Sequence, residues 1–341
     1  MKLLKYAMLP FIALSCFACS DDDESAIKND MIKKTVSPAI AGEKIEFAYA
    51  MGTTNGRINK AEAVASITGA TGTGFELHSW FTAQTGMDVN GVHYGAGEDV
   101  PIQTVKDAST DGSISTANLM EKVDAHYITQ TDLIAATLRY NFVVPEDAKG
   151  KTFSITFTAV SSTGDRVSYK TPNYKISKMD MKRLIELENE GACYFSIEDM
   201  KAYTKEEVNA LNLSGKIDFI YNYQAKLNDF DYAHSFVSPA TDPKFIAISG
   251  IVPSGATNST PMEQRANVHD AQLKGSNPAV YVDDIDFETL DLGGAMNYVL
   301  NLKKDDSAFM KTADGKWAAY IYVNSVDGSG KMTVSIKRYP L

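Results

Sequence analysis

The acidic run DDIDFE at residues 283–288 is a segment whose residue types could bind a metal ion. In an extended strand Asp284, Asp286 and Glu288 would share one face, because side chains alternate sides with a period of two. Carboxylate oxygens are the ligands that Ca²⁺ prefers, although the run lacks the glycine and spacing of an EF-hand loop. The sequence therefore predicts either a Ca²⁺ site on these three side chains or a solvated acidic strand edge.

Four aromatic residues are candidates for contact with a ligand. Tyr221, Tyr223 and Tyr232 flank a polar stretch at residues 224–231, and Trp317 follows a turn-like segment at residues 314–316. Their rings offer flat apolar faces with a polar tip, which suits a sugar ring, and the same rings also suit core packing. We expect a ligand contact or a core position at each of them.

Sequence signatures of catalysis are missing from the chain. There is no G-x-S-x-G elbow, H-E-x-x-H, Walker A motif or strand-linked G-x-G-x-x-G. The five histidines are widely separated, and none pairs with another ligand type at a metal-binding spacing. We therefore predict no enzymatic activity and no catalytic residue. Haem ligation by a histidine or a methionine remains an alternative binding function.

The first residues of the chain carry the features of a lipoprotein signal. Lys2 and Lys5 precede a short apolar stretch at residues 6–18, which predicts a cleavable signal peptide over residues 1–18. A small residue precedes each nearby cysteine, so Cys19 is the predicted lipidation site and Cys16 is the alternative. The acidic run SDDDE that follows Cys19 resembles the export signal of surface lipoproteins in Bacteroidota-type bacteria. We therefore expect a palmitate-bearing lipid anchor in the outer membrane, with the protein facing the exterior.

Composition limits the remaining function classes. The 341 residues are 44% hydrophobic, which is typical of a globular protein, and they contain 33 Lys+Arg against 43 Asp+Glu. The net charge of −10 argues against binding to nucleic acid, which needs a basic face. With two cysteines near the signal, Cys193 is predicted to be a buried, unreactive thiol rather than half of a disulfide.

The elements that must position these residues fall into two predicted domains. An acidic tether is expected over residues 19–38. An immunoglobulin-like β-sandwich is expected over residues 39–177, because this segment contains short runs in which apolar and polar residues alternate, as in half-buried strands. The second domain, residues 178–341, is expected to be α+β and dominated by antiparallel sheet. The fold class is therefore mainly β.

Three helices and several strands are predicted in the second domain. One helix is expected over residues 178–190 from its apolar spacing, one from the capping box at Thr204 and Glu207, and one from a second capping box at Thr260 and Glu263 to about residue 273. Strands are expected over residues 216–223, 279–282, 296–302, 317–323 and 332–338.

Several phrases of the second domain resemble an uncharacterised two-domain lipoprotein family of Bacteroidota. These phrases are CYFSIEDM at residues 193–200, YTKEE at 203–207, KIDFIY at 216–221 and HSFVSPA at 234–240. The likeness extends over most of residues 43–341. It implies a fold and a cell-surface location, and it implies no catalytic residues or mechanism.

These observations predict a lipid-anchored surface protein that acts as a non-catalytic glycan-binding or accessory module. Its expected partners are the membrane, through the lipid, and a polysaccharide or the components of an outer-membrane transporter. The structural alternative is a fimbrial subunit or tip adhesin, and the further alternative is the haem-binding lipoprotein.

Overall fold

A computed structural model describes most of the chain after the predicted signal peptide. The described residues are 25–33, 37–76, 78–82, 86–87, 93–94, 99–106, 122–128, 133–227, 230–244, 250–266, 268–274 and 280–341. The predicted lipidation sites Cys19 and Cys16 lie outside these residues. No helix within the described residues is long and apolar enough to cross a bilayer.

The first half of the chain consists of short strands. They are β1 (Ile27–Lys33), β2 (Lys44–Thr53), β3 (Ile58–Ala65), β4 (Gly74–Phe75), β5 (His78–Thr82), β6 (Gly86–Met87), β7 (His93–Tyr94), β8 (Asp99–Lys106), β9 (Lys122–Ile128), β10 (Ala135–Val143), β11 (Thr152–Phe153), β12 (Ile155–Ser161), β13 (Arg166–Lys170) and β14 (Tyr174–Lys175). A 3₁₀ turn at Glu146–Ala148 follows Pro145, which has no N–H to continue the ladder of β10.

Two antiparallel sheets form the first domain. One has the order β1-β2-β10-β4 and the other β13-β12-β3-β9-β8-β5. Phe157 of β12 packs across the gap against Tyr49 of β2 and Tyr140 of β10, with ring centroids 5.2 and 5.3 Å apart. The order β1-β2-β10 opposite β13-β12-β3 corresponds to strands A-B-E opposite G-F-C of an immunoglobulin domain. The predicted β-sandwich is confirmed.

The predicted acidic tether is wrong in its second part, because residues 27–33 form strand β1 and pair with β2. Ile27, Asn29 and Met31 share the inner face of the strand, and Ile27 and Met31 are buried in the core of the sandwich. Lys28 and Asp30 lie on the exposed outer face. The charges on the outer face gave this strand the composition of a linker.

In the second half, the described residues form ten strands and three short α-helices, besides a 3₁₀ turn at Ser214–Lys216. They are β15 (Asp180–Glu188), β16 (Tyr194–Ser196), β17 (Lys201–Tyr203), α1 (Lys205–Ala210), β18 (Phe219–Leu227), β19 (Phe230–Val237), β20 (Met262–Arg265), α2 (Ala271–Lys274), α3 (Asp284–Glu288), β21 (Tyr298–Val299), β22 (Ser307–Lys311), β23 (Trp317–Val326) and β24 (Lys331–Pro340). They build two five-stranded antiparallel sheets, β15-β24-β23-β22-β20 and β17-β16-β18-β19-β21, which enclose the second core.

The helix predicted over residues 178–190 is wrong, because this segment is the edge strand β15. A β-bulge shifts its register against β24 between Lys182 and Ile185. At the bulge Leu184 has a φ of 56° and is 65% exposed, whereas Ile185 and Leu187 are buried. The extra residue moved the apolar positions from a period of two to a spacing that imitates a helix.

The capping box at Thr204 and Glu207 is present and opens α1, as predicted. The second predicted helix start is wrong, because β20 occupies residues 262–265, and the described helix that overlaps the predicted range is α2, which begins at Ala271. Thr260 is fully buried, and its hydroxyl lies 3.5 Å from Asp218 Oδ1 rather than capping a helix. Of the remaining strands, those at residues 317–323 and 332–338 are confirmed within β23 and β24.

An apolar cluster joins the two domains on the outer face of the sheet that contains β23. It combines Ile40 of the first domain with Met179, Val282, Phe287 and Tyr320 of the second. The segment that includes α2 and α3 covers this face, so α3 lies at the boundary between the two domains.

Candidate binding cleft between the two domains

A cleft of about 270 Å³ lies where α3 faces the end of the first domain. One wall comprises Ser37, Pro38, Ala39, Tyr174 and Lys175, the other comprises Tyr281, Asp283, Asp284 and Ile285, and Ser177 lies between them. The cleft is the size of a small polar ligand, and it presents aromatic, cationic and anionic groups together.

The two tyrosines of the cleft differ in how they are held. The ring of Tyr174 packs against Phe153 and Phe47 of the sandwich, with centroids 5.3 and 5.9 Å away. Tyr281 is 38% exposed. One wall therefore carries a fixed aromatic ring and the other an accessible one.

Asp284 is buried at the base of the cleft, with 8% of its surface exposed. Its Oδ1 accepts a hydrogen bond from the Ser177 hydroxyl, and its Oδ2 lies 3.2 Å from Lys175 Nζ. Apart from this ion pair, Oδ2 accepts no hydrogen bond from the described residues. The contact with the Asp284 carboxylate raises the pKa of Lys175, so the lysine is charged at neutral pH. Oδ2 itself is buried, and its contact among the described polar groups is the ion pair with Lys175.

A buried ion pair holds the wall that carries Tyr281. Lys337 and Asp270 are fully enclosed, with Lys337 Nζ 2.7 Å from Asp270 Oδ2. Asp270 Oδ2 accepts a hydrogen bond from Val282 N–H at 2.7 Å, and Lys337 Nζ donates to Val282 C=O at 2.8 Å. Burial lowers the pKa of Lys337, and Asp270 opposes this shift. Both backbone groups of Val282 are thus fixed, and they place Tyr281 and Asp283 on either side.

Gln272 extends this network to the opposite wall. Its Oε1 accepts a hydrogen bond from Lys337 Nζ at 2.7 Å, and its Nε2 donates to Pro38 C=O at 3.1 Å. Nearby, Arg183 donates to both carboxylate oxygens of Glu43 at 2.7 and 2.8 Å. Polar contacts across the domain boundary therefore set the distance between the two walls.

The acidic constellation predicted to bind Ca²⁺ has a different geometry from the one expected. Residues 284–288 form α3, so the extended face is wrong: Asp283 is the N-cap, and Asp286 completes a capping box. Asp286 Oδ2 accepts from Asp283 N–H at 2.8 Å, and Glu288 Oε1 accepts from Tyr339 O–H at 2.8 Å. Within the described residues no group of His, Cys, Asp or Glu is arranged to hold a metal ion. Of the three acids, Asp284 alone lines the cleft.

The four aromatic candidates do not converge on one site. Tyr221 is fully buried, and its hydroxyl lies 2.8 Å from His234 Nδ1, so the ligand role predicted for it is wrong. Tyr223 donates to Gly328 C=O at 3.0 Å, and Tyr232 lies opposite Ala225 in the same hairpin. Trp317 pairs with Pro340 at the other end of β23, where Arg338 lies 4.1 Å from its ring.

The chemistry-bearing residues of the cleft lie far apart in the chain, and Asp284 is the one among them that was predicted from the sequence as a ligand-binding residue. Lys175 lies two residues before the last residue of the predicted first domain, and Tyr281 lies two residues before the acidic run. Cys193, predicted to be an inert thiol, is buried and unpaired by disulfide, and burial raises its pKa to about 11.

Comparison with known proteins places this architecture in a family. Residues 24–176 match the domain of unknown function DUF4466, and residues 177–341 match the domain of unknown function DUF8576. The crystal structure of a DUF4466 family protein from Parabacteroides merdae is 35% identical to the chain, with a TM-score of 0.76. The match covers 93% of this chain and 99% of that one. The chain belongs to the DUF4466 family. The resemblance to an uncharacterised two-domain family is thereby confirmed.

More distant structures share little with this DUF4466 family member. The collagen binding subdomain of the Enterococcus faecalis surface protein ACE is 12% identical, covers 45% of this chain and 96% of that one, and has a TM-score of 0.19. The major pilin subunit BcpA of Bacillus cereus is 6% identical, covers 91% and 66%, and has a TM-score of 0.25. Likenesses at this level carry no argument about fold or function. No curated protein matches the chain.

Proposed function

We propose that the protein is a non-catalytic glycan-binding module, displayed on the outside of the cell by a lipid anchor. The observation that supports this function is the cleft between the domains, which is lined by the accessible ring of Tyr281 and the exposed ammonium group of Lys175. Sugar ligands present an apolar ring face and several hydroxyl groups, and this combination of side chains complements both.

The proposed lipid anchor would hold this cleft, and any polysaccharide bound in it, close to the membrane. A polysaccharide captured close to the membrane has a high effective concentration for any transporter in the same membrane. Outer-membrane transporter components are therefore the proposed partners, and the polysaccharide is the proposed ligand.

Tyr281 supplies the direct test. In affinity electrophoresis of the protein from residue 20 onward, we expect at least one polysaccharide to retard migration. Tyr281→Ala should weaken this binding by roughly five- to thirtyfold, because it removes an aromatic contact that contributes about 1–2 kcal/mol. Tyr127→Ala is the matched control, since Tyr127 is also 38% exposed and lies in β9 of the sandwich.

Two results would overturn the proposal. Absence of retardation by every member of a broad polysaccharide panel would remove glycan binding. Equal losses for Tyr281→Ala and Tyr127→Ala would place the binding outside the cleft. SDS-resistant ladders on intact cells would favour the fimbrial alternative instead.

A further inference from the structure

The cleft does not end at Tyr281, because this residue also lines a second cleft of about 420 Å³. Val280, Asp286 and Thr289 line the second cleft, and all three are exposed. Tyr281 itself is 38% exposed. The two clefts therefore meet at an aromatic ring that a ligand can reach.

A third cleft, of about 730 Å³, continues the second one along strand β20. Arg265 and Asp291 line both of these clefts, and both residues are exposed. All four residues of β20 line the third cleft, and a strand of this length extends over roughly 10 Å, which is longer than one sugar ring. The three clefts thus share residues from one to the next, and together we call them the groove.

Exposed polar and apolar groups follow one another along the groove. Arg265 has five N–H donors, of which one contacts Glu263 at 2.9 Å among the described hydrogen bonds. Thr289 donates its hydroxyl to a backbone carbonyl of α3 at 2.7 Å, which leaves the hydroxyl oxygen as an acceptor. Val280 and Met296 are 54% and 47% exposed. Such a lining suits a chain of sugar units, because each unit has C–H groups on its faces and hydroxyls at its rim.

We propose that the groove binds the interior of a linear polysaccharide, with successive sugar units in the three clefts and Tyr281 against the chain where the first two clefts meet. This inference rests on the proposed glycan-binding function and specifies its ligand as an extended chain rather than a chain end. Each further unit adds contacts without a second loss of translational and rotational freedom, so affinity should rise with chain length until the groove is filled.

A length series tests the extent of the groove. Xylan, mixed-linkage β-glucan, amylose and linear mannan are compared by affinity electrophoresis, and the disaccharide and hexasaccharide of each by titration calorimetry. We expect at least one of the four polymers to bind, and its hexasaccharide to bind at least tenfold more tightly than its disaccharide.

Partial hydrolysis distinguishes the chain interior from the chain end. The polymer that binds is cut into fragments about tenfold shorter, each still longer than a hexasaccharide, and compared with the intact polymer at equal mass concentration. Binding to the chain interior should be unchanged, because the number of sugar units is the same. Binding to chain ends should become about tenfold stronger, because the number of ends rises tenfold.

Arg265→Ala tests the second and third clefts without altering the first. We expect it to weaken binding of the polymer by about fivefold, as suits the loss of a hydrogen bond at an exposed site. Arg166→Ala is the matched control. Arg166 also lies at the end of an edge strand, β13, and is paired with Glu62 at 2.6 Å, with its side chain 58% exposed against 48% for Arg265.

The outcomes separate this inference from the proposed function. Equal affinities for the disaccharide and hexasaccharide, stronger binding after hydrolysis, or equal effects of Arg265→Ala and Arg166→Ala would overturn the inference and leave glycan binding standing. Failure of all four polymers would also overturn it, and failure of the whole polysaccharide panel would overturn the proposed function as well. Carboxymethylated casein is included as an extended polypeptide, and retardation by casein alone would assign the groove to a protein chain and overturn both.

Discussion

Asp218 is a carboxyl group whose pKa is changed by burial in the core of the second domain. It is buried in the second core, and its Oδ2 accepts a hydrogen bond from Ile197 N–H at 2.7 Å. Burial raises the pKa of Asp218 from 3.8 to about 7, because desolvation disfavours the charged form. The folded chain therefore binds a proton that the unfolded chain releases. Stability from this group is complete below the unfolded pKa and declines as pH rises towards 7.

Asp218→Asn should remove this decline. The amide keeps an oxygen that can accept from Ile197 and cannot ionise, so we expect the variant to be more stable than the native chain by roughly 1–3 kcal/mol at pH 7.5. At pH 4.5 the two should be nearly equal. Urea unfolding at both pH values measures the difference, and an identical gap at pH 4.5 and 7.5 would contradict the assignment.

Lys337 is a residue whose loss should affect both the fold and the cleft. Lys337→Met leaves the buried Asp270 without its cation, and breaking such a pair costs about 3–5 kcal/mol. Because Lys337 also holds Val282 and Gln272, glycan binding should weaken under conditions where the variant is fully folded.

Urea unfolding and polymer binding at low temperature are the two measurements. Lys331→Met is the control, because Lys331 lies on the same strand with its side chain 60% exposed, and we expect less than about 0.5 kcal/mol of change. Full binding by a folded Lys337→Met variant would show that the pair supports the core alone.

At the scale of elements, the bulge in β15 is a site of backbone strain. A left-handed conformation costs an L-residue about 1–2 kcal/mol, and Leu184 adopts it with a φ of 56° while largely exposed. The bulge also interrupts the edge of the sheet, which discourages pairing with another strand.

Leu184→Gly should therefore stabilise the protein or leave it unchanged, with a gain of up to about 1 kcal/mol, since glycine adopts this conformation freely. Lys182→Gly, two residues earlier on the same strand, should cost about 0.5–1 kcal/mol. Thermal unfolding compares the two variants. A loss at Leu184 as large as that at Lys182 would argue that its side chain contributes to stability.

Elements with one clear local signal were predictable from the sequence, and elements with competing signals were not. Thr204 and Glu207 opened the expected helix, and the strands around residues 317–323 and 332–338 follow from their apolar β-branched and aromatic content. Asp283 and Asp286 form the same type of capping box as Thr204 and Glu207, but their acidity favoured a metal or edge interpretation. Local rules also miss the bulge in β15, because its evidence is the pairing with β24.

The candidate site was harder to predict than the fold for a geometric reason. Tyr174 and Lys175 meet Tyr281 and Asp284 only because the domain interface brings the two segments together. A single sequence contains no signal for that contact. Asp284 was identified as part of an acidic group, whereas Tyr174, Lys175 and Tyr281 belong to no sequence motif that would indicate a binding site.

At the scale of the whole molecule, the proposed anchor must lie before β1. We expect Cys19→Ala to abolish incorporation of a palmitate analogue and to release the protein from the membrane fraction, while Cys16→Ala keeps both. The reason is that the thiol of the mature N-terminal cysteine carries an acyl chain. Metabolic labelling and fractionation measure this, and protease added to intact cells reports the exposed face.

The opposite pattern, with labelling lost only in Cys16→Ala, would move the anchor to Cys16. Retention of labelling in both single variants would contradict a unique lipidated cysteine at either position.

With the proposed lipid anchor, the position of strand β1 would limit how far the protein can extend from the membrane. If the lipid is on Cys19, residues 20–26 alone separate it from Ile27, and a fully extended residue spans at most about 3.6 Å, which limits the reach to roughly 25 Å. The sandwich would then work within about one domain height of the bilayer. With the proposed anchor and ligand, tension from a long bound polymer would reach the lipid through the hydrogen bonds between β1 and β2, and this ladder would be the mechanical link between membrane and polymer.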